Sequence, residues 1–165
     1  MANPLNIPET VIYYHPEQKK LYLKQDPACI YPQWDSRKGI HSRGGNFAAM
    51  VARKHYEDRC YRVLPQYYLN RCKRQRAWNE GFRKIARIFG REKMSAFLTA
   101  TQHLGGGDPD LFVYRNDKSE CFFVEAKAAD TGDRLNHNQL RVIPLIKKYL
   151  CPVYLAIIVQ NGKGK

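Results

Sequence analysis

The 165-residue chain predicts an α/β domain. Three stretches point that way. The runs DLFVY (110–114) and CFFVEAK (121–127) are apolar and β-branched or aromatic, and a short polar loop separates them, as in a hairpin. Behind them Leu135, Val142, Ile146 and Tyr149 form the stripe of an amphipathic helix. The closing run PVYLAIIV is apolar almost throughout, which suits a strand covered on both faces. The predicted core is a helix, three strands in a meander, a crossover helix and a fourth strand, with a helical insertion between the first two strands.

In chain order, residues 1–40 read as an N-terminal extension. VIYY, HPEQKK and LYLK suggest a small hairpin around His15–Lys20, and Arg37, Lys38, His41 and Arg43 make an irregular basic run. The main domain is predicted over 41–160. Asn46 is placed to cap a helix carrying Phe47, Met50, Val51 and Tyr56 on one face. Residues 61–69 read as a strand, and Pro65 puts it at an edge or a bulge. From Arg71 to Lys93 nine Lys and Arg stand against two Glu, interleaved with Trp78, Phe82, Ile85, Ile88 and Phe89. That pattern predicts a helix docked by one side, and its crowded cations suit a surface that tracks phosphates through residues such as Arg74, Arg76, Arg83 and Arg87. Gly90 is expected to end this helix, and EKMSAFLTATQ to begin another. A helix over 134–150 should kink or break at Pro144, and 161–165 is a polar tail.

A chain of this size buries one core, and 44% apolar residues suffice for it. No run of 18 apolar residues exists and MANPLNIPET lacks the pattern of an export signal, so the expectation is a cytoplasmic or nucleoid/nuclear protein, not secreted and not in a membrane. Cys29, Cys60, Cys72, Cys121 and Cys151 contain no C-x-x-C pair and read as small buried hydrophobes rather than as a zinc site with His41 or His55. A net charge of +13 calls for a polyanionic partner, nucleic acid or an acidic membrane.

The candidate site follows from strand parity. Glu125 and Lys127 project from one face of their strand, while Val124 and Ala126 project from the other. If Asn116–Ser119 form the loop, Arg115 pairs with Glu120, and the same register sets Asp110 opposite Glu125, with Cβ atoms about 5 Å apart. Two carboxylates and an ammonium at one end of an apolar hairpin are costly unless paired or bound to a cation. A hard divalent ion is the natural use of the pair, and the lysine beside it would orient or deprotonate a water or stabilise negative charge. The plainer alternative is a structural ion pair of Lys127 with one carboxylate. Gln139 falls inside the apolar stripe of the following helix, which aims its amide at the core side, either toward backbone or toward the carboxylates.

The residues Gly107, Pro109-Asp110-Leu111, Val124-Glu125-Ala126-Lys127, Asp133-Arg134-Leu135, His137 and Gln139 resemble the VRR-NUC branch of the PD-(D/E)XK nucleases. The resemblance covers roughly residues 105 to 158 closely and the upstream order more loosely. It implies a restriction-endonuclease-like αβββαβ core and a metal-dependent DNA endonuclease acting on branched DNA, a flap or a four-way junction. Asp110, Glu125 and the carbonyl of Ala126 would hold Mg2+ or Mn2+. Lys127 and Gln139 would serve the reacting water or the metal shell, and Arg134 and His137 would touch the phosphate backbone. Many members carry a Glu near the start of the first helix, where this chain offers Asn46, with Glu57 and Asp58 later and Asp108 as a further carboxylate. Stand-alone members are similar to junction resolvases that act as homodimers, so a dimer is expected, with Tyr13, Tyr14, Tyr22, Tyr31 and Trp34 as its apolar surface. The rival readings are a nuclease-like binding module without turnover and an RNA-cleaving defence or toxin effector.

Overall fold

The computed structural model describes residues 3–32, 47–65, 67–70, 76 and 79–162. The elements are β1 (Glu9–Tyr14), α1 (Pro16–Lys24), α2 (Phe47–Glu57), β2 (Arg62–Leu64), α3 (Glu80–Thr101), β3 (Leu111–Tyr114), β4 (Cys121–Ala128), α4 (His137–Tyr149) and β5 (Val153–Gln160). One sheet has the order β1-β5-β4-β3-β2. β2, β3 and β4 form the antiparallel meander, and β5 returns parallel to β4 after α4.

The central hairpin has the register set by its polar loop. Leu111 pairs with Val124, Val113 with Phe122, and the Arg115 N–H donates to the Glu120 carbonyl at 2.9 Å. Successive side chains then part to opposite faces. Leu111, Val113, Phe122, Val124 and Ala126 pack under α2, whereas Phe112, Phe123 and Leu155 pack with Ile85, Phe97, Val142, Ile143 and Ile146 of α3 and α4. Glu125 and Lys127 therefore sit on the α4 side.

The N-terminal segment differs from the expected hairpin. VIYY is strand, as β1, and it pairs with β5 in parallel, Val11 beside Ile157. HPEQKK and LYLK are one helix, because Pro16 stands in its first turn with Glu17, Lys24 lies in its last, and Gln25 closes it in the left-handed region (φ 56). Tyr14, Tyr22 and Tyr31 are buried around the Phe47 ring, with centroids 5.0, 5.2 and 5.4 Å from it. They are core rather than the expected dimer surface, and only Tyr13 of the described four is exposed. Trp34, Arg37, Lys38, His41, Arg43, Asn46, Cys72, Arg74 and Trp78 lie outside the described residues.

Other boundaries also shift. β2 is three residues long and stops before Pro65, at the sheet edge. α3 begins at Asn79, whose side chain accepts from the Phe82 N–H at 2.7 Å, and it breaks at Gly90 (φ 80, ψ 168) before resuming. α4 starts at His137 rather than at 134, since Asn136 caps it, and it is continuous to Tyr149. Pro144 faces solvent, where water can serve the carbonyl it leaves unpaired, while Val142, Ile143 and Ile146 anchor the opposite face. Of the cysteines, Cys151 is buried, Cys29 and Cys121 are half-buried and Cys60 is exposed, so the buried expectation fails for Cys60.

The Phe47 ring closes the layer between α1, α2 and the sheet. Phe47→Ala is expected to lower stability by about 3–5 kcal/mol in urea denaturation, as deletion of a buried aromatic ring does. A loss below about 1 kcal/mol would show that the tyrosines collapse into the space.

Candidate active site

Glu125 lies in the middle of a strand at 1% exposure, and Lys127 is 6% exposed. The Lys127 ammonium is 2.8 Å from Glu125 Oε1, and Gln139 Nε2 donates to the same oxygen at 2.6 Å. Glu125 Oε2 is buried without a hydrogen-bond partner. Asp110 stands at the next register position before Leu111, opposite Glu125, and its Oδ2 accepts the Ala126 N–H at 2.9 Å. A strand residue turns its N–H and carbonyl to the same edge, so the Ala126 carbonyl shares the Asp110 side.

Burial pushes the Glu125 carboxyl up to about 8, the Asp110 charge adds to the rise, and Lys127 and Gln139 oppose it. Burial also raises Asp110, against the Ala126 N–H and the Lys127 charge. For Lys127, burial pulls downward, but Glu125, Asp133 and Asp110 together outweigh it and hold the ammonium above its usual value. Asp133 Oδ1 lies 3.5 Å from Nζ.

Gln139 is fixed at both ends. Its Oε1 accepts the Asn136 N–H at 3.0 Å while Asn136 Oδ1 accepts the Gln139 N–H at 3.0 Å, a reciprocal capping box. The amide that caps α4 thus also orients Glu125, and that geometry favours the carboxylate over a water or a phosphate as its partner.

The Gly105–Asp110 turn is held from two sides. Asp108 accepts the backbone N–H groups of Leu69 (3.1 Å) and Asn70 (3.0 Å), so this carboxylate braces the turn. The Asn70 amide donates to the Gly106 carbonyl at 2.9 Å, and the Tyr67 hydroxyl donates to the Pro109 carbonyl. On the other side Asn138 Nδ2 donates to the Gly105 carbonyl at 3.1 Å. Gly107 has φ 90, and a Cβ there would lie 2.6 Å from the Asn138 carbonyl oxygen, so only glycine permits this approach. Tyr67, Asn70, Asn136 and Asn138 are the residues that sequence reasoning missed. The only signal for the last two was their place beside Gln139 at a helix start.

The remaining candidates lie apart from the buried centre. Arg134 and His137 are exposed on the loop and first turn leading into α4. Arg83 and Arg87 are exposed on α3 and Arg76 is half-buried. Glu57 and Asp58 pair with Arg53 (2.7 Å) and Lys54 (2.6 Å) on α2 itself.

Among the described residues no group of three or more His, Cys, Asp or Glu side chains is arranged as a metal cluster. The donor set is instead two carboxylates and a main-chain carbonyl, which suits a hard cation that keeps water or phosphate oxygens as further ligands. The partnerless Glu125 Oε2 fits such an ion, since a buried carboxylate oxygen without a donor is costly and a cation would satisfy it.

No curated protein matches the chain. The family model of the VRR-NUC domain matches residues 51–157, a range that contains Asp110, Glu125, Lys127, Arg134, His137 and Gln139 and leaves out β1 and α1. With more than half of its length matched, the chain belongs to the VRR-NUC domain family, a family of nucleases.

Proposed function

We propose that the protein is an Mg2+- or Mn2+-dependent, structure-selective endonuclease that hydrolyses phosphodiester bonds in branched DNA. The observation that carries this reading is the buried Glu125 carboxylate, with one oxygen saturated and the other without a partner beside Asp110. Asp110, Glu125 Oε2 and the Ala126 carbonyl would hold the cation, which when bound supplies charge neutralisation and Lewis-acid polarisation of the phosphate.

The chain's own groups do the rest. Gln139 and Lys127 clamp Glu125 Oε1 and so leave Oε2 as the oxygen for the cation. Lys127 is held as an ammonium, so it acts as a fixed positive charge toward developing negative charge rather than as the base that takes a proton from water. Arg134 and His137, exposed at the entrance to α4, would contact the flanking phosphates, and Arg74, Arg76, Arg83 and Arg87 would extend that contact along the strand. A homodimer would supply the two centres that paired cuts in a junction need.

Labelled linear, flap, splayed-arm and four-way DNA, incubated with Mg2+, Mn2+ or EDTA, tests the reading. Cleavage of the branched substrates is expected only with metal, and Asp110→Asn, Glu125→Gln and Lys127→Ala should each reduce it to background, because groups acting as one unit fail together. Gln139→Ala should cost about 10–100-fold in metal affinity or activity, as loss of a ligand's outer partner does. Wild-type turnover in any of the first three variants would remove the site assignment.

The raised Glu125 carboxyl predicts a pH dependence. The folded state binds this proton more tightly than the unfolded chain, so metal-free stability should fall as pH rises from about 4.5 toward about 8 and level off above it. A cation must displace the proton, so Mn2+ should stabilise the fold more at about pH 8 than at about pH 6, with proton release. Thermal melts and calorimetry in buffers of different ionisation enthalpy measure both. A metal-induced shift independent of pH would show that Glu125 is not a ligand.

A further inference from the structure

The break in α3 builds a second feature. At Gly90 the backbone takes φ 80 and ψ 168, so the helix bends there and residues from both halves line one groove of about 660 Å3. That lies within the roughly 300–1,000 Å3 typical of ligand sites. Phe82, Ala86 and Leu98 form an apolar floor and pack with their other sides on the core cluster beneath α3 and α4. Arg76, Arg87 and Arg91 also line it, with the Arg76 guanidinium 5.8 Å from the Phe82 ring centroid, so a base stacking on that ring would displace this cation. Gln102 also lines the groove, and the chain passes from it within three residues into the Gly105–Gly107 turn that leads to Asp110.

A duplex presents phosphates and sugars to a helix face and has little use for an apolar floor between arginines. An unpaired strand presents both chemistries in alternation, flat bases and charged phosphates. Stacking on aromatic and apolar side chains combined with cationic contacts is the physical basis of single-strand binding. The charge complementarity comes from the groove itself: its described lining holds Arg76, Arg87 and Arg91 and no acidic side chain.

We propose that this groove binds an unpaired DNA strand, with bases laid on Phe82, Ala86 and Leu98 and phosphates held by Arg87 and Arg91. The proposal rests on the nuclease reading for its class of ligand and deepens it: the single-stranded arm of a branched substrate would be gripped here, while the scissile phosphate lies at Asp110 and Glu125.

The test is fluorescence anisotropy of the full chain in EDTA with three labelled probes: an oligothymidylate, the same strand made of abasic sites, and a blunt duplex. The wild-type protein should bind the oligothymidylate more tightly than the abasic strand. Phe82→Leu, which keeps apolar volume but removes the aromatic face, should weaken oligothymidylate binding about tenfold and leave the abasic strand and the duplex unchanged. Arg87→Gln with Arg91→Gln should lower the salt slope for the single strand by about 0.7 per lost phosphate contact. Equal wild-type affinity for the thymidylate and abasic strands would overturn the proposal without needing any variant to fold. So would a Phe82→Leu loss that is the same for all three probes. Metal-dependent cleavage is read separately. Cleavage that persists when the base dependence is absent removes the groove alone, whereas base-dependent binding without cleavage removes the nuclease reading and leaves the groove standing.

Discussion

Glu125 is an ionisable group in the interior of a five-stranded sheet, and its position sets the demands that its surroundings meet. A carboxylate at 1% exposure is stable only if its oxygens find donors or its charge is cancelled. One oxygen receives Lys127 and Gln139, and the other is buried without a hydrogen-bond donor. Each partner arrives by a different route. Lys127 comes from strand period, two residues on along β4. Asp110 comes from the hairpin register. Gln139 comes from α4, locked there by the Asn136 capping box, so the same two side chains that begin the helix also fix the carboxylate. The Gly105–Asp110 turn is pinned by Asp108 and Asn70 on one side and by Asn138 on the other, and Gly107 is the point where turn and helix touch.

The part of the chain outside the family match is joined to this arrangement. β1 pairs along the outer edge of β5, and its Ile12 and Tyr14 enter the same core layer as Phe47 and Ile158. The Tyr14 hydroxyl and the Lys19 ammonium both donate to Asp130 Oδ2 at 3.1 Å, just beyond the end of β4. Both groups are partly buried, so this contact is screened less than a surface pair and ties the N-terminal unit to the loop that runs from Lys127 toward α4. The β1–α1 unit therefore supports the strand that carries Glu125 as well as completing the sheet.

What was legible in the sequence was what local periodicity and loop length determine. Four polar residues at Asn116–Ser119 leave one register for two strands whose apolar faces must both be buried, and that register places Asp110 opposite Glu125. The stripe through Val142 and Ile146 located Gln139 on the inward face of its helix, though Leu135, read as part of that stripe, lies before the helix. What was not legible depends on contacts far apart in the chain. Asp108 resembles a spare ligand until Leu69 and Asn70, nearly forty residues earlier, bring backbone N–H groups to it. The tyrosines at 14, 22 and 31 look like an exposed apolar cluster until Phe47 supplies the ring they surround. Pro16 signals a turn and a helix start equally well, and tertiary packing of Tyr22 decides for the helix. The sequence also showed Lys127 without its protonation state, which follows only from the carboxylates gathered around it.

That protonation state bears on how the proposed centre would serve a phosphodiester. With Asp110 and Glu125 ionised and Lys127 an ammonium, these three groups together carry a single net negative charge, which is unfavourable in an apolar hairpin. Without metal the cheapest remedy is a proton on a carboxyl, which is why Glu125 is pushed up toward neutral pH. On the proposed reading a divalent cation in place of that proton would reverse the sign among these three groups and leave one net positive charge there for a phosphodiester, with Asp133, half-exposed beside Lys127, screened by solvent. Were Lys127 neutral instead, such a cation would only balance Asp110 and Glu125, and the three groups would hold no net attraction for phosphate. On the proposed reading the ion pair at 2.8 Å would therefore do more than stabilise the strand: by keeping the lysine charged it would give a cation-loaded centre the sign that a phosphodiester requires.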